Sequence, residues 1–186
     1  MKQLAVLFPG VGYTPEKPLL YHTRRIAESL GFDTLTISFS GFPKKLRGDE
    51  KKMRRAFDLA LAQSREQLKA ADLAAYDEIL FIGKSIGAVA AAALAEPYRC
   101  SRLVLFTPLA PAFSFPLPET IVFTGSDDPW VEPDQIPALC AGKGIPCTVI
   151  PNANHSLETG DPMQDLERLR QIMIETKHFM EEGNHK

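Results

Sequence analysis

Glu78-Ile79-Leu80-Phe81-Ile82-Gly83-Lys84-Ser85-Ile86-Gly87-Ala88-Val89-Ala90-Ala91-Ala92-Ala93-Leu94 passes from a strand-length apolar run, through a turn with two glycines, into an alanine-rich helical run. A G-x-S-x-G turn between strand and helix is the setting of a nucleophile elbow. A serine on so sharp a turn needs small neighbours two residues to either side, which Gly83 and Gly87 provide. The hydroxyl then sits at the amino end of a helix, where backbone N–H groups are free and the dipole favours negative charge. Ala88 and Ala90–Ala93 let that helix lie close to a sheet.

On either side of this stretch, strand and helix patterns alternate. Lys2 to Phe8 reads as a first strand, ending at Pro9-Gly10-Val11-Gly12-Tyr13, with a helix from about Pro18 to Leu30. Leu35, Ile37 and Phe39 alternate with polar residues, as in a half-exposed strand near a sheet edge. A basic loop, Phe42 to Gly48, leads into a long helix starting near Asp49 with Met53, Phe57, Ala60, Leu61, Ser64 and Leu68 inward. The cations of Lys51 to Arg55 form its solvated face. Downstream come strands at Leu103–Phe106, Thr120–Thr124 and Pro146–Ile150 and a helix over Pro133–Ala141. Asp161-Pro162 opens the last helix as N-cap and N1, with a stripe of Leu166, Leu169, Met173, Thr176 and Met180. Six strands alternating with helices predict one α/β domain over residues 1–186, a mainly parallel sheet covered on both faces.

Composition excludes several classes. The chain has 186 residues, 45% hydrophobic and 24% charged, with a net charge of −2, which argues against a nucleic-acid partner. No apolar run reaches the ~18 residues of a membrane span. The apolar stretch Leu4–Pro9 is too short for a signal peptide and reads as the first strand. Three cysteines, Cys100, Cys140 and Cys147, have neither disulfide parity nor metal spacing, so a reducing cytoplasm is expected. Gly83-Lys84-Ser85 is not the end of a phosphate-binding loop, because Glu78 stands where that loop needs glycine. Gly10-Val11-Gly12 is not a dinucleotide fingerprint, because Pro15 stands at the third glycine. No cofactor or metal is expected.

A serine nucleophile needs a base, and the base an orienting carboxylate. His22 and His178 fall in helices and His185 in the tail. Only His155, in Pro151-Asn152-Ala153-Asn154-His155, follows a strand at the rim where ligands bind. Asp127 and Asp128 follow the preceding strand. The residue before Pro129 is held extended, which favours Asp128; Asp127 better fits an Asx turn. An oxyanion needs two donors: the Ile86 N–H, and an N–H from the loop after the first strand, best Val11. Gly12, Tyr13, Phe42, Phe113, Phe115 and Trp130 are candidate pocket walls, the four loop aromatics Phe42, Phe113, Phe115 and Trp130 being equally readable as lid-side core. Lys84 is a candidate attractor of an anionic substrate at the mouth, or a residue that packs or pairs with a surface acid.

With FPGVG, GKSIGA, GSDDPWV and NANHSLE in this order, nearly the whole chain resembles the α/β-hydrolase superfamily, and within it the small dienelactone-hydrolase-like and predicted bacterial hydrolases. The resemblance implies a strand order of 2-1-3-4-5-6 and a switch point between strands one and three. The chain departs from the family in three ways. It lacks the first two strands of a full-length member, Thr107–Glu119 is too short for a cap domain, and serine stands where dienelactone hydrolases use cysteine. The expected activity is hydrolysis of a small ester or thioester by an acyl-enzyme route. A non-catalytic binding module and an amidase or peptidase are the competing readings, and oligomeric state is open.

Overall fold

Alternation along β1 (Gln3–Phe8) sets the architecture. Leu4, Val6 and Phe8 enter one apolar core, and Ala5 and Leu7 enter another on the opposite face. A strand buried on both sides must lie inside a sheet covered twice. The computed structural model describes residues 2–182, so the expected tail position of His185 lies outside them.

Six parallel strands form one sheet in the order β2-β1-β3-β4-β5-β6, as the resemblance implied. Here β2 is Asp33–Thr36, β3 Glu78–Lys84, β4 Arg102–Phe106, β5 Glu119–Gly125 and β6 Cys147–Ile150. Helices α1 (Pro18–Ser29) and α5 (Pro162–Glu182) cover one face. On the other lie α2 (Glu50–Ala70), α3 (Ile86–Ala95) and α4 (Gln135–Ala141). All seven residues of β3 are buried.

Two spans end earlier or start later than expected. β2 stops at Thr36, although Ile37 still donates its N–H to Leu7; Ser38 and Ser40 then hydrogen-bond through their backbones to Gln67 and Gln63 of α2. α4 begins at Gln135 because Asp134 adopts a left-handed φ of 58°. The inward stripe of α2 is Ala56, Ala60, Ser64 and Leu68, with Met53, Phe57 and Leu61 only half-buried at its flanks. On α5 the expected Leu166 is 60% exposed, and Ile172 and Phe179 are buried instead. Asp161 caps α5 by accepting from Met163 N (2.9 Å) and Gln164 N (3.2 Å). Between β4 and β5, residues 107–118 hold only a 3₁₀ turn, Ala110–Ser114, and no cap domain.

At the starting end of the strands a buried ion pair ties sheet to helix. Arg102 Nε donates to Glu78 Oε1 at 2.9 Å, and Nη1 to the Phe179 and Met180 carbonyls of α5. Those carbonyls belong to the last helical turn, which has no intrahelical donors of its own.

Candidate active site

Ser85 follows β3 directly, with φ 58° and ψ −121°, a backbone region that costs a non-glycine residue ~1–3 kcal/mol. The turn is held by Ser85 N–H donating to Phe106 O at 3.0 Å and by α3 starting at the next residue. Gly10, just after β1, lies against it: a Cβ there would sit 3.2 Å from Ser85 Cβ. Gly10 and Tyr13 exchange backbone hydrogen bonds of 3.2 and 3.4 Å, which puts Val11 and Gly12 at the tip of an exposed turn beside the serine.

The histidine and the carboxylate arrive from the ends of β6 and β5. A Cβ on Gly125 would fall 2.1 Å from Ala153 O, so only glycine lets the two segments lie in contact. Asp127 N–H donates to Ala153 O at 3.0 Å, closing the same junction. The outcome is a relay of two short bonds. His155 Nε2 lies 2.8 Å from Ser85 Oγ, and His155 Nδ1 lies 2.7 Å from Asp128 Oδ2. An ionised carboxylate only accepts, so Nδ1 carries the proton and Nε2 presents its lone pair to the serine hydroxyl. Asp128 is 6% exposed, and its second oxygen accepts from Trp130 N at 2.9 Å. Asp127 is exposed and its Oδ1 accepts from Ser126 Oγ instead, so the geometry chooses Asp128.

Burial holds His155 below its ordinary value of 6.5; the Lys84 charge works in the same direction, and the bond to Asp128 opposes it. The imidazole is therefore neutral and able to accept a proton in neutral solution. The Trp130 ring lies over it with centroids 5.4 Å apart, screening that side from water. At the start of α3 the first N–H groups have no intrahelical acceptor, and Ile86 N–H is the first of them.

The structure redistributes the expected pocket residues. Trp130 stands at the site, and Val11 and Gly12 at its edge. Lys84 does not reach a mouth: it is 1% exposed and points behind the histidine loop, because a side chain on a buried strand has no outlet. Tyr13 is 5% exposed beside it, its hydroxyl accepting from Leu19 N at 3.1 Å. Phe113 is core on the α3 face, packed there by the 3₁₀ turn. Phe115 borders a cleft with Glu119, Thr120 and Pro146, at the strand ends remote from Ser85. Phe42 is half-buried, edge-on to Phe39 at 5.6 Å. Sequence reading missed Thr107 and Gly125; a glycine closing an apolar strand was the available signal for the second, and nothing marked the first.

No family model matches the sequence, and no curated protein matches it. Solved structures do match by shape. An α/β serine hydrolase homologue from Coxiella burnetii is 18% identical with a TM-score of 0.68, over 95% of this chain and 84% of that one. An α/β serine hydrolase without a lid from Xanthomonas campestris is 16% identical with a TM-score of 0.65, over 97% and 81%. Est1E from Butyrivibrio proteoclasticus is 14% identical with a TM-score of 0.70, over 100% and 89%. Sheet order, the absence of a cap and these likenesses agree: the chain has the α/β-hydrolase fold in its compact, lidless form.

Proposed function

We propose that the protein is a serine hydrolase acting on a small carboxylic ester or thioester through an acyl-enzyme intermediate. One observation carries this reading: Ser85, His155 and Asp128 come from three different loops, yet form two bonds of 2.8 and 2.7 Å. Ser85 Oγ attacks the carbonyl carbon as His155 Nε2 takes its proton. The imidazolium formed is stabilised by Asp128, and the oxyanion by the N–H groups of Ile86 and Val11. The tetrahedral species then expels the alcohol or thiol, which takes the proton from His155. Water, deprotonated by the same imidazole, hydrolyses the acyl-serine and restores the enzyme. Phe42, Gly12 and Trp130 are the candidates to border the acyl group. The cytoplasm is proposed as the compartment on the parity of the three cysteines.

Labelling with a fluorophosphonate probe tests the reading. Wild type is expected to label, and Ser85→Ala and His155→Ala to lose the label. A well-folded wild type that stays unlabelled would sink the catalytic reading in favour of a binding module. A label surviving Ser85→Ala would mean another nucleophile. Rates on matched esters and anilides separate esterase from amidase. Est1E has been seen with ferulic acid bound, so a feruloyl ester belongs in the first panel.

The pH profile gives a second expectation. The general base works only when neutral, and burial holds His155 below 6.5. The acid limb of kcat/KM should therefore have its midpoint below 6.5, with activity lost as pH falls through it. A midpoint above 6.5 would contradict the buried imidazole.

A further inference from the structure

A lysine buried to 1% exposure directly before the nucleophile is costly, since an ammonium removed from water needs compensating partners. Leu80 and Ile82, on the same face of β3, are aliphatic and carry no such cost. Lys84 forms no ion pair with a carboxylate among the described residues; its Nζ donates to Thr107 Oγ1 at 2.5 Å and to the main-chain carbonyl of His155 at 2.7 Å. The Tyr13 ring faces it, with the centroid 4.9 Å away. Thr107 Oγ1 donates in turn to the same His155 carbonyl at 3.1 Å. Thr107 is itself fixed, bending away from β4 with φ 41° while its N–H donates to Phe123 O at 2.7 Å. The carbonyl of the residue that carries the imidazole is thus clamped by two donors, one from the end of β3 and one from the end of β4.

We propose that Lys84 is a positioning residue, whose bonds to Thr107 and to the His155 carbonyl clamp the histidine loop so that the imidazole stays between Ser85 and Asp128. This rests on the hydrolase reading for its kinetic consequences, though not for the clamp itself. The loop is also tied to the end of β5, where Asp127 N–H donates to Ala153 O at 3.0 Å and Asn152 N–H to Ser126 Oγ at 2.8 Å. It is braced locally as well: Asn154 Oδ1 accepts from Ser156 N at 2.7 Å, and Asn154 N–H donates to Glu158 O at 2.9 Å. None of those bonds reaches the His155 carbonyl, which Lys84 and Thr107 hold. A relay built on contacts of 2.7 and 2.8 Å is sensitive to where that carbonyl is held, since a shift of ~1 Å can cost ~10²-fold in rate.

The clamp has an electrostatic signature that a mere space-filler lacks. Lys84 faces the charges of Asp128, Glu158 and Lys17 as well as the imidazole of His155 and the Tyr13 ring. Its positive charge opposes protonation of His155. Removing that charge should make the imidazole easier to protonate, so the acid limb should move to higher pH. Burial brings Lys84's own value down to about 7, so the comparison belongs well below pH 7, where the amine is charged.

The experiment compares wild type with Lys84→Met, Thr107→Val and Thr107→Ser. Lys84→Met is expected to lower kcat by about 10–100-fold with KM little changed, and to move the acid limb upward. Thr107→Val, which keeps the shape and removes the hydroxyl, should lower kcat by about 10-fold; Thr107→Ser should restore it. The proton on His155 Nδ1, followed by NMR and assigned with His155→Ala, should lose its strongly hydrogen-bonded shift in Lys84→Met. A folded Lys84→Met with wild-type kcat and an unmoved acid limb would overturn the proposal. If Lys84→Met does not fold, Thr107→Val decides: wild-type kcat there overturns it. If wild type fails to label with the fluorophosphonate, the hydrolase reading fails, and the NMR titrations of wild type and Thr107→Val still decide the clamp.

Discussion

Ser85→Ala is expected to lower kcat on a short-chain ester by about 10⁶-fold, and Ser85→Ala/His155→Ala to lower it hardly further. The reason lies in how the relay is wired. In the proposed mechanism the imidazole first takes the proton of Ser85 Oγ, 2.8 Å away, and its later proton transfers serve the acyl-serine; without the hydroxyl no acyl-serine forms and those steps do not arise. What survives is stabilisation of the oxyanion, which in such sites is worth ~10³–10⁴-fold over water. Asp128→Asn should cost less, about 10⁴-fold. An amide at that position can donate to Nδ1, which flips the imidazole to the tautomer that presents N–H to the serine. Its other oxygen position still accepts from Trp130 N, so the loop keeps its shape and Tm should stay close to wild type. Steady-state kinetics on wild type, Ser85→Ala, His155→Ala, the double variant and Asp128→Asn, with thermal unfolding as control, check the pattern. Strict multiplication of the Ser85 and His155 effects would mean that they act independently, against the geometry.

The sheet order came with the family resemblance, whereas the strand–turn–helix around Ser85 and the loop positions of His155 and Asp128, which the structure brings together, were legible from local sequence rules. An apolar run followed by a glycine-flanked serine and alanines leaves few alternatives at β3 and α3, and elimination among four histidines singled out His155. What was not legible depends on direction. Lys84 had two readings, an attractor at the mouth or a residue that packs or pairs with a surface acid, and the expected place of β3 between β1 and β4 does not say which way the side chain at its end points. Only the folded chain brings a threonine hydroxyl and a loop carbonyl to its ammonium from 23 and 71 residues away. Phe113 and Phe115 stayed open for a related reason. The loop after β4 leaves rim and core equally open in sequence; in the fold it descends along α3 to reach the starting end of β5, carrying its aromatics into the core and to the far edge. Leu166 follows the helical period of its neighbours, yet it stands exposed at the border of an open groove with Leu19, Leu157 and Leu169.

Gly87→Ala is expected to destabilise the fold by about 3 kcal/mol or more, although intrinsic preference points the other way. Alanine is favoured over glycine inside a helix by ~1 kcal/mol, and Gly87 is the second residue of α3. The packing decides. A Cβ at position 87 would lie 2.2 Å from Phe8 O and 2.3 Å from Pro9 O, both main-chain atoms at the end of β1 that no rotamer change can move. Helix and strand would have to separate, and with them the Ile86 N–H from the Gly10–Val11 turn. Stability and activity should therefore fall together. Gly142→Ala is the matched control. Gly142 ends α4 at φ −62°, and a Cβ there would meet its nearest neighbour, Ala138 O, at an ordinary 3.5 Å. That change should leave activity intact and be neutral or stabilising by ~0.4–1 kcal/mol. Thermal or denaturant unfolding of the two variants reads the difference directly. Equal stabilities would show that the crossing of α3 over β1 yields to a methyl group, and the close approach that frames the elbow would then be a preference of the sequence rather than a requirement of the fold.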